Sequence, residues 1–213
     1  MFKNFYYAAY SYLNEWMWKD SHFHSVLAHG GGKTEKEDGE GCLFEVAVYY
    51  RVIRTLRLRG DEPRLQAAYR ALSETQLPNG DDPSELVSDF ASTLRREYGG
   101  FPLSASSKFL WMRFRSPIVI FDQFVSKHLH RQCKFKTGDY ADFYKIWINE
   151  FHENEHRIRE ACAELNGIKK FTRADELSND DLLALTSSRW FAERVFDHFA
   201  QESGRPENSK TWA

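Results

Sequence analysis

Residues 104–136 read SASSKFLWMRFRSPIVIFDQFVSKHLHRQCKFK, and the rest of the chain is read outward from this stretch. Ser104, Ser106 and Ser107 offer N-cap oxygens, and Phe109, Leu110, Met112 and Phe114 fit a short buried helix. Pro117 stops that helix, and Ile118, Val119, Ile120 and Phe121 make a compact apolar run. Asp122 then stands as the natural N-cap of a second helix, Gln123 to Arg131. Lys108 in one helix and Asp122 at the start of the next are thus joined by an apolar connector. Apolar surroundings disfavour an ammonium and keep a carboxylate dry, which suits an amine nucleophile paired with an acid. An ordinary Lys–Asp ion pair with a capping aspartate has the same signature.

The stretch is also basic. Lys108, Arg113, Arg115, Lys127, Arg131, Lys134 and Lys136 stand against the single acid Asp122, a formal charge of about +6 in a chain whose net charge is −2. A basic surface on a mildly acidic protein points to a polyanionic partner, since phosphate contacts supply most non-specific nucleic-acid affinity. On charge alone, a solvated helical face reads the same way. Arg51, Arg54, Arg57 and Arg59 form a second basic stripe with no acid among them from 51 to 59.

The pattern S-x-S-S-K-F-L-W from Ser104 to Trp111, then Pro117, then I-V-I-F-D, resembles the Lys…Asp catalytic segment of the helix-hairpin-helix DNA glycosylases, in particular the 8-oxoguanine glycosylase-like branch. The stretch W-F-x-x-R-V-F-D, Trp190 to Asp197, resembles that branch's closing helix. The likeness implies a mostly helical base-excision enzyme of DNA repair or antiphage defence. Such an enzyme flips a modified base from double-stranded DNA and cuts its N-glycosidic bond. By position it makes Lys108 the amine and Asp122 the carboxylate, with no cofactor. Arg113, Arg115, Lys127 and Arg131, with Ser104, Ser106 and Ser107, are the expected nucleic-acid contacts, and Trp111, Phe121 and Trp190 the expected walls of a base pocket. The chain departs from the family in two places. Gly99-Gly100-Phe101-Pro102-Leu103 replaces the usual Gly-hydrophobic-Gly turn, and the Lys-to-Asp interval is a few residues shorter.

Elsewhere the chain reads as one all-α domain over 1–213, with no convincing strand period. Phe2 to Trp18 is an aromatic-rich helix, and His22 and His24 follow in a loop. Residues 29–41 form a flexible Gly- and charge-rich loop. Its GKT at Gly32-Lys33-Thr34 fails as a phosphate loop, because Leu27 occupies the first required glycine position and no strand precedes it. Helices are expected over Cys42–Arg59, Arg64–Gln76, a segment capped by Asp81-Asp82-Pro83 and running to Tyr98, Asp139 to Leu165, and Asn179–Glu202. The tail 204–213 is expected to be loose.

His152-Glu153-Asn154-Glu155-His156 satisfies H-E-x-x-H on a helix, the pattern of a zinc metalloprotease. Glu155 between the histidines, with Asn149, Glu150, Arg157, Arg159 and Glu160 around them, marks an exposed salt-bridged helix instead, so no metal is expected. A non-catalytic nucleic-acid-binding module of a bacterial defence system is the other alternative. Three cysteines without a CxxC pair indicate neither a disulfide framework nor a Cys-based zinc site. No apolar run approaches a membrane span and no signal-peptide pattern opens the chain, so the expected setting is cytoplasmic.

Overall fold

Apolar residues at helical spacing predict an all-α protein, and a computed structural model bears this out: among the described residues every regular element is helical. It describes residues 4–28, 35–54, 62–78, 80, 82–131, 133–136 and 138–206. In chain order these form α1 (Phe5–Glu15), a π-helical turn (Trp16–Asp20), α2 (Ser21–Ala28), α3 (Glu35–Tyr49), α4 (Glu62–Glu74), α5 (Ser84–Tyr98) and α6 (Leu103–Phe114). There follow α7 (Gln123–Leu129), α8 (Tyr140–Ala163), a 3-10 stretch (Glu164–Phe171), α9 (Asn179–Ser187) and α10 (Arg189–Gly204). The chain divides into two compact units, Met1–Trp18 with Asp122–Ala213, and Lys19–Phe121. No helix among the described residues is long and apolar enough to cross a membrane.

In the middle unit, α6 is the central element and contacts α2, α3, α4 and α5. Every side chain from Ala105 to Met112 is buried, which marks a helix enclosed on all sides and not one lying on a surface. Of the apolar residues expected to bury this helix, Phe109, Leu110 and Met112 do so, and Phe114 at its end is half-buried. The serines expected to cap it do not: α6 begins at Leu103 and they lie inside it. The Ser106 hydroxyl donates to the Pro102 carbonyl, 3.0 Å away. Arg115, with φ of 58°, ends α6 by donating its N–H to the Trp111 carbonyl.

In the terminal unit, α10 packs against α1, α7, α8 and α9. From Phe191 to Asp197 all its side chains are buried, so three charged groups enter the interior with partners. Arg194 donates through Nη1 to Oδ2 of Asp197 at 2.9 Å, and Trp147 donates Nε1–H to Oδ1 of the same carboxylate at 2.8 Å. Arg189 Nε donates to Glu193 at 2.8 Å. Burial pushes the Asp197 carboxyl up from its ordinary value, opposed by the Arg194 charge and the two hydrogen bonds.

Several expected boundaries are corrected. His22 and His24 lie in α2 and not in a loop, because no glycine or proline interrupts the helical run between Trp18 and Leu27. The expected flexible loop 29–41 is helical from Glu35 onward, where glutamates and a lysine favour the helix. Gly39 there admits a close neighbour, since a Cβ would lie 2.3 Å from the Tyr69 hydroxyl. Residues 29–34, including the GKT, lie outside the described residues, as do Arg57 and Arg59. The helix expected to run to Arg59 ends at Tyr49. Arg51 turns to φ 56°, with Arg51 N–H on the Val48 carbonyl and Val52 N–H on the Ala47 carbonyl, the paired bonds of a Schellman motif.

The single helix expected over 179–202 breaks at Ser188, whose ψ of 147° is extended and whose hydroxyl bonds back to the Leu185 carbonyl. The helix expected to run to Leu165 ends at Ala163, and the chain tightens into the 3-10 stretch from Glu164 onward. Gly204, expected in a loose tail, closes α10 and is buried; residues 207–213 lie outside the described residues.

Candidate functional site

Because α6 is enclosed, Lys108 is only 6% exposed. A buried ammonium needs oxygen partners. Lys108 Nζ donates to Ser104 Oγ at 3.1 Å, one turn back, and to the Tyr50 carbonyl at 3.4 Å. Tyr50 follows the last residue of α3, so the ammonium sits at that helix's carbonyl end, where a cation is favoured. The same ammonium lies 5.9 Å from the centroid of the Tyr50 ring, within cation–π range.

Tyr50 leads to a residue that sequence reasoning passed over. Its hydroxyl donates to the carboxylate of Asp20, 3.0 and 2.9 Å from the two oxygens, and Asp20 is 0% exposed. Asp20 closes the π-helical turn, an irregularity that recurs at functional sites. Asp20, Tyr50, Lys108 and Ser104 therefore form one connected polar cluster within the middle unit. A sequence clue existed in W-M-W-K-D, where an acid closes an aromatic run.

Asp122 begins α7 as expected. Its backbone is extended and its Oδ1 accepts the Phe124 N–H at 2.7 Å, an N-cap of ordinary geometry. The run Ile118, Val119 and Ile120 before it is buried, and Phe121 is half-buried with its N–H on Ser107 Oγ at 2.9 Å.

The expected nucleic-acid contacts separate. Ser106 and Ser107 are 0% exposed with their hydroxyls committed to backbone, so they leave the phosphate-contacting set. Ser104 is half-buried and bound to Lys108. Arg113 donates to the Ser73 carbonyl at 3.1 Å, and burial lowers its pKa. Arg131 donates to the Ser203 carbonyl at 2.9 Å. Each of these arginines therefore bridges helices of its own unit. Lys127 is exposed, with its ammonium 5.2 Å from the Phe124 ring, and Arg115 is half-buried.

Of the expected pocket walls, Trp111 is 1% exposed and is core, because α6 is surrounded; it leaves that set. Trp190 is half-buried against Trp16, ring centroids 4.5 Å apart. In the terminal unit a small surface cleft is lined by Asn4, Tyr7, Ser11, His198 and Glu202, and His198 Nε2 is 3.1 Å from Glu15.

The H-E-x-x-H segment lies on α8 with His152, Glu153 and His156 exposed; the His156 side chain is 85% exposed and 3.6 Å from Glu160. Among the described residues no three His, Cys, Asp or Glu side chains cluster as a metal site.

What the fold and site define is a protein whose described residues form only helices, with a buried lysine on the central helix of the middle unit. No protein-family model, no curated protein and no solved structure matches the chain.

Proposed function

We propose that the chain is a DNA glycosylase-like enzyme of the helix-hairpin-helix type, which extrudes a modified or damaged base and cleaves its N-glycosidic bond. The observation that supports this most is Lys108: an amine on an enclosed helix, held by oxygen ligands, within the segment that resembles the family's Lys…Asp motif. The target bond is inaccessible in a stacked duplex, so the nucleotide must leave the stack first. Asp122 stabilises positive charge growing on the sugar as the base departs. Once its ammonium has given a proton to water, the Lys108 amine forms a bond to the sugar carbon through its lone pair, and the glycosidic electron pair leaves with the base, which takes up a proton. The nitrogen, having lost a proton, then forms the C=N bond as the C1′–O4′ bond breaks with its electron pair on oxygen, and that oxygen takes up a proton to give the ring-opened Schiff base. Arg115 and Lys127 hold phosphates, the first through its planar guanidinium and the second as a point charge.

A second reading has its own support. Lys108 bonds the carbonyl end of α3, a complete structural role, which fits a nucleic-acid-binding module without catalysis. The two separate on duplexes carrying damaged or phage-modified bases, treated with hot alkali after incubation. A glycosylase breaks the strand at one kind of modified base, and Lys108→Gln and Asp122→Asn lose that activity. If both variants cleave like the parent protein, neither residue takes part.

A further inference from the structure

Tyr50 touches Lys108 twice, through its carbonyl and through its ring face, and touches Asp20 through its hydroxyl. A tyrosine that only filled space at the end of α3 has no need of a buried acid. A carboxylate with no solvent exposure is costly unless hydrogen bonds hold it, and its bond to Tyr50 holds the tyrosine equally. The ring's orientation is thereby fixed from its far end. The backbone beside it is fixed as well, because Arg51 at positive φ turns the chain so that the Tyr50 carbonyl meets the ammonium. Ser104, one turn before Lys108 on α6, restrains the amine from its own helix.

We propose that Tyr50, anchored by the buried carboxylate of Asp20, is the positioning residue of Lys108, setting where the amine stands when it meets an aldehyde or sugar carbon. The inference rests on the glycosylase reading for its substrate. Its geometry, a carboxylate, a phenol and an amine joined in sequence, is independent of which base is removed. Small displacements of a reacting group cost large factors in rate, so a positioning pair acts on the maximal rate and leaves DNA affinity alone.

The test uses duplex DNA containing an abasic site, whose aldehyde reacts with an amine whatever base a glycosylase prefers. Covalent capture with borohydride is followed at increasing DNA concentration for the full-length protein, Tyr50→Phe, Asp20→Asn and the double variant. Tyr50→Phe is expected to lower the maximal capture rate by about tenfold or more while the half-saturating DNA concentration stays put. The double variant is expected to be no slower than the slower single variant, because both changes cut one chain of contacts. Capture by Tyr50→Phe at the parent rate, or additive losses in the double variant, overturns the inference. Thermal melting of each variant runs in parallel. Should Asp20→Asn fail to fold, Tyr50→Phe decides alone, since it keeps the ring and the backbone carbonyl. Should the parent protein itself not be captured, the amine-nucleophile reading falls. The positioning claim is then decided by reductive methylation of Lys108 with formaldehyde and cyanoborohydride, mapped by mass spectrometry. A rate changed about tenfold in Tyr50→Phe supports it, and an unchanged rate refutes it.

Discussion

Replacing Gly204 by alanine places a methyl group 1.8 Å from the carbonyl oxygen of Phe124 and 2.7 Å from its carbonyl carbon. Ordinary contact begins near 3.4 Å, so α7 and the end of α10 must separate by roughly 1.6 Å, and the obstacle is main chain that no rotamer change removes. Overpacking of this kind costs about 1–3 kcal/mol, and a backbone obstacle puts the cost near the upper end. The movement also pulls the Ser203 carbonyl from Arg131, a bond of 2.9 Å whose loss costs about 1 kcal/mol. Alanine's better helix propensity returns at most about 1 kcal/mol. The net loss is about 2–3 kcal/mol, a fall in melting temperature of about 4–12 °C for a chain of this length. Gly41→Ala is the control. It is exposed in α3 and a Cβ there meets nothing within 4 Å, so only the propensity gain of about 0.5–1 kcal/mol remains and the melting point rises by about 1–4 °C. Melting followed by circular dichroism at 222 nm gives both values. The reasoning is refuted if Gly204→Ala melts at or above the parent temperature, or if the two variants shift in the same direction.

Trp147→Phe removes the N–H that Asp197 accepts inside the terminal unit and is expected to destabilise by about 1–3 kcal/mol; an unmoved urea midpoint speaks against the buried network. Burial, with the Glu45 charge adding to it, pushes the Cys42 thiol up to about 12, and burial pushes Cys162 to about 12 against the opposing Arg159 charge, whereas Cys133 is exposed. At pH 8 a thiol with so high a pKa is thiolate in only about one molecule in ten thousand, so a disulfide reagent should titrate one thiol per native chain and three in denaturant. Two fast native equivalents contradict this packing. Asp122→Ala should cost about 1 kcal/mol through the lost cap of α7, while Asp122→Asn keeps the cap and the melting point. An Asn variant that is stable but inactive marks a chemical role, and one that is stable and fully active marks a cap alone.

Helical class was legible because an apolar side repeats along every long segment, and Asp122 and Asp139 were legible as caps because an acid stands just before each apolar run. The serines of 104–107 misled for a related reason. Their residue type signals a cap, but their hydroxyls bond to backbone or to Lys108 inside an enclosed helix, and enclosure is a property of other helices, α2 and α3 among them, that lie far away in sequence. The end of α3 was hidden similarly, since apolar spacing continues through Ile53 while a single arginine at positive φ turns the chain. Gly39 and Gly204 read as flexibility in sequence and serve as points of close approach in the fold. The site itself was half legible. Lys108 stood out from its local motif, but its partner Tyr50 and the acid that holds Tyr50, Asp20, lie 58 and 88 positions earlier, beyond the reach of any local pattern.

The central claim concerns what the Lys108 amine does, and borohydride trapping on a panel of duplexes with damaged or modified bases measures it most directly, with the adduct mapped by mass spectrometry. The account predicts a covalent protein–DNA adduct at Lys108 on at least one such duplex, absent in Lys108→Gln. An adduct mapped to a different residue, or formed equally by Lys108→Gln, contradicts it.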